Sequence, residues 1–185
     1  MDAARMPDPA PPPDARTAGD GDAFEALFRA EYGRVVGIAR RVLRDPDEAA
    51  DVAQEVFLAA LRGRVALRPR AGGWLHAAAA HTALNHLRAA RRLGERQARA
   101  VRAGAGRDGD GAPDRLLEAS EERRLVRRLL ARMPERQAAI LVLRHSGLSY
   151  AEVAVALGLK PGSVGTLLRR AELAMRKEWE TYASD

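Results

Sequence analysis

Arginine carries most of the chemistry that this 185-residue sequence offers. The chain has 31 basic and 25 acidic residues, a formal net charge of +6, and only two lysines, Lys160 and Lys177. Between Arg62 and Arg107 there are eleven arginines and one acidic residue, Glu95. A solvated helix surface normally mixes charges of both signs. Charge of one sign on this scale, on a side chain suited to bidentate phosphate contact, indicates a polyanionic partner such as nucleic acid.

A second nucleic-acid signal lies in residues 147–170, which predict a helix, a tight turn and another helix. Ser149 and Glu152 have the spacing of a capping box. Gly158 suits the end of that helix because it can adopt a positive φ, and Pro161 fits the first turn of the next helix. This pattern is typical of a helix-turn-helix, whose second helix enters the DNA major groove. An ordinary helical hairpin in a globular core is the alternative.

The elements that would position these residues are helices. Apolar residues recur at steps of three and four after Asp22, which is a suitable cap for a first helix. Pro46 can open a second helix at its first turn. On that helix Asp51, Gln54 and Glu55 lie on one side, next to an apolar stripe. We therefore expect the second helix to present an acidic strip beside its buried face.

Composition divides the chain into two helical domains. The proline-rich N-terminus cannot bury enough apolar surface to offset its ordering entropy, and a glycine- and aspartate-rich segment separates the later helices. The arginine-rich stretch 62–73 looks like a loop, followed by a third helix from Trp74. The predicted fold is all-α, with a disordered tail at 1–21, a first domain at 22–103, a flexible linker at 104–114 and a second domain at 115–182.

No motif for catalysis, a cofactor or a metal is present. The sequence has no cysteine, which excludes disulfides, thiol catalysis and cysteine–zinc sites. His76, His81 and His86 are five residues apart, so neighbours differ by about 140° around a helix and cannot share one metal ion. Zinc-protease, phosphate-loop and dinucleotide-binding motifs are missing. We therefore predict a protein that is not an enzyme and has no cofactor, metal or small-molecule substrate.

Cellular location follows from the same features. The apolar runs are too short to span a bilayer, and the acidic, proline-rich N-terminus does not look like a signal peptide. The absence of cysteine fits a reducing compartment. We predict a cytoplasmic protein that does not bind membranes.

Three motifs in order carry a resemblance to a known family. Residues 51–57, Asp-Val-Ala-Gln-Glu-Val-Phe, form the first; Trp74-Leu75 with the alanines and arginines up to Arg88 form the second; residues 133–154 form the third, continued by Gly162-Ser-Val and residues 168–171. Together they resemble the sigma-70 family of RNA polymerase sigma factors, of the extracytoplasmic-function (ECF) type. The resemblance covers about residues 24–177 and implies two helical domains, regions 2 and 4, around a linker.

The resemblance implies roles for region 2. The acidic strip would bind a coiled coil of the largest polymerase subunit, through Asp51, Gln54, Glu55 and Leu58. The arginine-rich loop and the third helix would hold the melted −10 promoter element, because extruded bases can enter a pocket while arginines hold the backbone. The implied −10 residues are Arg62, Arg64, Arg68, Arg70, Trp74, Asn85, Arg88, Arg91 and Arg92.

The resemblance also implies that region 4 reads the −35 element as a duplex, with the helix from Pro161 in the major groove. The implied contact residues are Ser163, Val164, Thr166, Arg169 and Arg170. Two domains on one linker would combine their affinities through effective concentration. Core RNA polymerase and promoter DNA are thus the implied partners, and the sequence leaves open whether an anti-sigma factor binds as well.

The second helix of the helix-turn-helix departs from the family pattern. The family commonly has Lys and Arg where this chain has Gly165 and Leu167, and the charges from His145 to Asp185 balance. Two functions are therefore weighed. The first is a sigma factor that directs core polymerase to a set of promoters. The alternative is a degenerate sigma-like regulator that binds polymerase or a regulatory protein with weak DNA readout.

Overall fold

The structure, a computed structural model, describes residues 18–103 and 116–184. These residues form only helices and turns, which confirms the all-α prediction. The elements are α1 (Ala18–Leu43), α2 (Pro46–Arg62), a 3₁₀ helix (Val65–Leu67), α3 (Ala71–Ala103), α4 (Leu116–Arg132), α5 (Glu135–His145), α6 (Tyr150–Leu157) and α7 (Pro161–Ser184). Within these two ranges, no helix combines the length and the apolar character that crossing a bilayer requires. Most of the predicted tail and the linker at 104–114 lie outside the described residues, so the domain boundaries stay predictions.

Local sequence signals explain where α2 begins, whereas the predicted start of α1 was wrong. The Asp45 carboxylate accepts hydrogen bonds from the backbone N–H groups of Asp47, at 2.8 Å, and Glu48, at 3.0 Å, and Pro46 takes the first helical position. Helix α1 begins at Ala18, four residues before the predicted cap, so Asp22 lies inside the helix. A residue of a capping type marks the start of a helix only where the residues before it are not themselves helical.

The stretch 62–73 is more ordered than the predicted loop. Helix α2 runs to Arg62, the 3₁₀ helix follows one turn later, and α3 already begins at Ala71. Val65 is only 1% exposed and belongs to the core, which fixes this connection against the helices around it. The chain changes direction at Arg64 (φ 49°) and Arg70 (φ 66°), which both have left-handed backbone conformations. The composition of this stretch predicted a loop, because composition alone does not show that Val65 is buried.

Helix α3 is the central element of the fold. It packs against α1, α2 and the 3₁₀ helix, and also against α4, α5 and α6. Its middle carries the alanine run Ala77–Ala80 together with Ala83, and small side chains let neighbouring backbones approach closely. The buried side chains form one continuous cluster that extends from Val35 to Ala171. The two predicted domains therefore pack directly against each other.

The Asp45 cap gives a prediction for stability. Asp45→Ala should lower the free energy of unfolding by about 1 kcal/mol, because two first-turn amides of α2 lose their acceptor. Asp22→Ala is the matched control, and its effect should stay below about 0.5 kcal/mol because Asp22 is an exposed residue inside a helix. Urea titration followed by circular dichroism measures both. Equal losses for the two variants would contradict the assignment of Asp45 as the cap.

Candidate nucleic-acid and polymerase interfaces

The acidic strip lies on the exposed side of α2. Asp51, Gln54, Glu55 and Leu58 follow the i, i+3, i+4, i+7 spacing of a single helix face, and all four are exposed. Leu58 is 44% exposed, which is a large apolar side chain to leave in solvent. The opposite face of α2 is buried in the core. The structure thus brings all four predicted polymerase-binding residues together.

Exposed aromatic rings border this strip. Phe28 and Tyr32 on α1 are 38% and 41% exposed. The Phe28 ring centroid lies 5.0 Å from that of Tyr32 and 4.7 Å from that of Phe57 on α2. Together with Phe24, Leu58 and their neighbours they line an open groove of about 430 Å³. Phe24, Phe28 and Tyr32 are four residues apart along α1, and this spacing was the sequence signal that they share one face. Periodicity alone did not show whether that face is exposed or buried.

Five of the nine predicted −10 residues are exposed; they are Arg62, Arg68, Arg70, Asn85 and Arg92. Arg62 is the last residue of α2, and Arg68 and Arg70 belong to the connection between α2 and α3, where the 3₁₀ helix holds the backbone in place. The Arg68 guanidinium donates a hydrogen bond to the carbonyl oxygen of Gly63 at 2.8 Å, which orients this side chain. This part of the surface presents positive charge from an ordered scaffold, as contact with a nucleic-acid backbone requires.

The other four, Arg64, Trp74, Arg88 and Arg91, are partly buried. Arg88 donates to the carbonyl oxygen of Met133 at 3.2 Å and lies 4.0 Å from the Glu135 carboxylate, and its side chain is only 16% exposed. Arg91 pairs with Glu95 on its own helix at 2.7 Å. Arg88 is therefore engaged by the start of α5 and is not presented to solvent in this conformation.

The three histidines of α3 face three different helices, as their five-residue spacing predicts. Each ring nitrogen lies next to a glutamate on another element, and His76 is also buried. The pairs are His76 Nε2 with Glu31 of α1 at 2.8 Å, His81 Nδ1 with Glu135 of α5 at 2.5 Å, and His86 Nε2 with Glu55 of α2 at 3.3 Å. These pairs tie α3 to its neighbours. In the part of the chain that the structure describes, no three potential ligands surround a metal-sized site.

The helix-turn-helix forms as predicted, from α6, a glycine turn and α7. Ser149 Oγ accepts from the Glu152 N–H at 3.2 Å, and the Glu152 carboxylate accepts from the Ser149 N–H at 2.8 Å. Gly158 ends α6 with a φ of 61°, and Pro161 begins α7. Hydrogen bonds from Ser149, and then the nearby Arg34 guanidinium, hold the pKa of Glu152 below its ordinary value. Both hydrogen bonds of the capping box are therefore formed, and the lowered pKa favours the charged form of the Glu152 carboxylate.

The exposed face of α7 carries three of the five predicted −35 residues, Thr166, Arg169 and Arg170. Ser163 is partly buried. Val164 is fully buried, so its side chain packs in the core and is turned away from the side on which Thr166 lies. Val164 therefore supports the helix and does not belong among the DNA-contact residues. Its apolar, β-branched side chain at a core-facing helical position was the signal for that role.

Two exposed residues near this face were missed from the sequence. The Tyr150 ring is 46% exposed, and the Arg144 guanidinium lies 5.5 Å from its centroid. Arg144 also donates to the Leu148 carbonyl oxygen at 3.1 Å. A Cβ at Gly165 would lie 3.6 Å from the Tyr150 ring, which is an ordinary contact. A side chain would therefore fit at position 165, and packing does not require the glycine. The family commonly has a basic residue at this position.

Comparison with known proteins matches both halves of this arrangement. The family model for Sigma-70 region 2 matches residues 27–93, and that for Sigma-70, region 4 matches residues 123–175. The RNA polymerase sigma-H factor of Pseudomonas aeruginosa is 31% identical over 168 residues, covering 86% of this chain and 87% of the relative. The chain belongs to the ECF sigma-70 family. The ECF sigma factor SigM of Mycobacterium tuberculosis is also 31% identical, covering 88% of this chain and 80% of the relative.

As a sigma factor, the chain has core RNA polymerase and promoter DNA as its partners and directs promoter-specific transcription. Sigma factors are transcription factors, not enzymes. A solved structure of the sigma factor RpoE in complex with the anti-sigma factor NepR from Bartonella quintana is similar as well. That similarity has a TM-score of 0.47 and 16% identity, covering 85% of this chain and 96% of that chain.

The lowered pKa of Glu152 gives a pH-dependent prediction. Glu152→Gln keeps a capping side chain but removes its charge, so the variant should be less stable than the wild type at neutral pH. The difference should stay below about 1 kcal/mol, since the Glu152 side chain is 39% exposed and solvent screens the charge. A folded-state pKa below the ordinary value of 4.5 gives stability that is present above 4.5 and is lost as the pH falls through the folded pKa.

Urea titrations of the wild type and Glu152→Gln across the acidic range measure this difference. The two unfolding free energies should converge as the pH falls below 4.5. A difference that grows in acid would show that the charge of Glu152 is not what stabilises the helix-turn-helix.

Proposed function

We propose that the sigma factor divides its work among three surfaces. The acidic strip of α2, with the aromatic groove beside it, binds core polymerase; the arginine-rich connection and α3 hold the −10 element; the exposed face of α7 reads the −35 element. The observation that carries this proposal is the grouping of Asp51, Gln54, Glu55 and Leu58 on one exposed helix face, with the proposed −10 arginines beginning one turn further along, at Arg62. Two surfaces of opposite charge suit two different partners.

The aromatic groove supports the polymerase assignment. A partner helix needs an apolar anchor inside a polar rim, because desolvated apolar contacts supply most of the affinity at such interfaces. Leu58, Phe28 and Tyr32 provide the anchor, and Asp51 and Gln54 provide the rim. We extend the proposed polymerase surface to Phe28 and Tyr32 on this basis.

The −35 assignment depends on fewer exposed side chains than the polymerase assignment does. Thr166, Arg169 and Arg170 are exposed on α7, and we add Tyr150 as a candidate backbone contact beside them. Gly165 contributes no side chain and Leu167 is partly buried, so the face is less basic than the family pattern. This observation favours the second candidate function, a sigma-like regulator with weak DNA readout, which the −35 test below distinguishes.

We further propose that the chain is not an enzyme and acts in the cytoplasm, where core polymerase is found. Run-off transcription tests the proposed function as a whole. Purified protein with core polymerase should give specific transcripts from its own promoters. Failure to bind core polymerase would contradict the proposal.

Leu58 tests the polymerase surface. Leu58→Asp should weaken binding to core polymerase about tenfold or more, because a charge would replace the apolar anchor. Leu93→Asp is the matched control, since Leu93 is 56% exposed at the far end of α3 and lies outside the proposed surface. Fluorescence anisotropy with labelled sigma factor measures both affinities. Equal weakening by the two substitutions would contradict the assignment.

The two DNA surfaces are tested with holoenzyme on promoter DNA. Arg92→Ala should weaken binding to different promoters alike and reduce the slope of log K against log salt by about 0.7 to 0.9, as the loss of one phosphate contact does. Arg169→Ala should cost about 1–3 kcal/mol on the cognate −35 sequence and little on a scrambled one. Arg176→Ala, exposed further along α7, is the control. If scrambling the −35 sequence has no effect on the wild type, the regulator with weak readout is the better account.

A further inference from the structure

We propose that the Tyr150 ring and the bare backbone at Gly165 form a shallow notch that accepts the methyl group of a thymine in the −35 element. This inference rests on the proposed role of α7 in reading that element as a duplex. It adds the feature of the base that is read and the residues that read it. Gly165 would then change the sequence preference of region 4 and not simply weaken its binding to DNA.

The notch lies beside the exposed face of α7. Gly165, Thr166 and Arg169 are neighbours on this helix, because residues three and four apart share a face. Thr166 and Arg169 are exposed, and Gly165 is partly buried. Tyr150 is the first residue of α6, and its ring reaches across to α7, where a Cβ at Gly165 would lie 3.6 Å from the ring atom Cε2. The ring therefore borders the face that would enter the major groove.

Glycine at position 165 leaves this edge of the ring uncovered. Apart from the adjoining residues and the backbone of α7, Cε2 of Tyr150 is the only atom in the described part of the chain within 4 Å of a Cβ built at Gly165. The stem of a lysine, which the family commonly has here, would begin in contact with the edge and cover it. With glycine the edge stays open to a ligand, and the ring as a whole is 46% exposed.

The ring is held in place before any DNA binds. The Arg144 guanidinium lies 5.5 Å from the ring centroid, and it donates a hydrogen bond to the carbonyl oxygen of Leu148 at 3.1 Å. The capping box of Ser149 and Glu152 fixes the backbone where Tyr150 begins α6. A surface that is already ordered loses little conformational entropy when a ligand covers it. A small apolar contact can therefore contribute to binding at this position.

The chemistry of the major groove identifies the group that fits the notch. The C5-methyl of thymine is the apolar group that base pairs present there, whereas guanine presents two acceptors that suit arginine or lysine. The Tyr150 edge and the methyl group of Thr166 offer apolar contacts, and Gly165 offers no donor from a side chain. An A·T pair over the notch is therefore favoured, in place of the G·C pair that a basic residue at position 165 would favour.

Replacement of thymine by uracil tests this contact, because uracil lacks only the methyl group. Holoenzyme selects its preferred −35 sequence from promoter duplexes in which that region is randomised. Each thymine of the selected sequence, on either strand, is then replaced in turn by deoxyuridine, and holoenzyme affinity is measured. At one position the affinity should fall about fourfold, as the loss of one buried methyl group predicts. Equal affinity for thymine and uracil at every position would overturn the inference.

Two lysine substitutions locate the contact on α7. Gly165→Lys should abolish the preference for thymine over uracil at that position, because the lysine stem covers the ring edge. Gly162→Lys is the matched control, since Gly162 is exposed one turn earlier and its Cβ would have no neighbour within 4 Å. It adds the same charge but should keep the preference. Retention of the preference by both variants would overturn the notch.

Tyr150 is tested by two substitutions that separate its ring from its hydroxyl. The backbone contact proposed above would use the hydroxyl, whereas the thymine contact uses the ring. Tyr150→Phe should therefore keep the preference for thymine over uracil, even where its affinity for both duplexes falls. Tyr150→Ala should lose the preference, and circular dichroism checks that the helix content is unchanged. Loss of the preference in Tyr150→Phe would overturn the ring contact.

Failure of this inference differs from failure of the proposed −35 role. If wild-type holoenzyme binds the selected −35 sequence no better than a scrambled one, region 4 does not read the element, and both are overturned. If it discriminates between these sequences but is indifferent to uracil, only the thymine contact is overturned.

Discussion

Close packing around α3 is the constraint on which the rest of the structure depends. This helix contacts both the region 2 helices and those of region 4, and a helix with larger side chains in its middle could not accept so many neighbours. The run Ala77–Ala80 and the bare backbone at Gly73 make that packing possible. Glutamates on α1, α2 and α5 then pair with the three histidines of α3. A single helix thereby sets the relative positions of the proposed polymerase, −10 and −35 surfaces.

The same helix joins the two regions of the protein. Its arginines and Trp74 suit it to hold a DNA strand, and its small side chains suit it to receive α5 and α6. Arg88, one of the proposed −10 residues, donates to the Met133 carbonyl oxygen and so contributes to the contact between the regions. The contacts between the regions are few and partly exposed, such as Arg34 with Glu152, and exposed ion pairs contribute little free energy each.

Sequence predicted those features that depend on near neighbours in the chain. The Asp45–Pro46 start of α2, the Ser149–Glu152 capping box and the turn at Gly158 were all predictable, because each involves residues a few positions apart. The four strip residues were predictable because helical spacing alone places them on one face. The resemblance to sigma factors supplied the roles that spacing could not.

Features that arise from distant contacts could not be predicted in this way. Arg34 and Glu152 are 118 positions apart, and no periodicity relates them. The burial of Val65, which orders the connection before α3, depends on helices that come before and after it. Gly73 appeared to be a loop residue, whereas it lies inside α3 where α6 approaches. The docking of region 4 on α3 is therefore information that only the folded chain contains.

The central claim, that α3 holds the two regions in one fixed arrangement, is tested most directly by one distance measurement. Spin labels at cysteines introduced at the exposed positions Ala50 and Leu173 report the separation of the two regions. Pulsed electron paramagnetic resonance on the free protein should give a single narrow distribution of short distances. A broad distribution of long distances in the free protein would contradict the account.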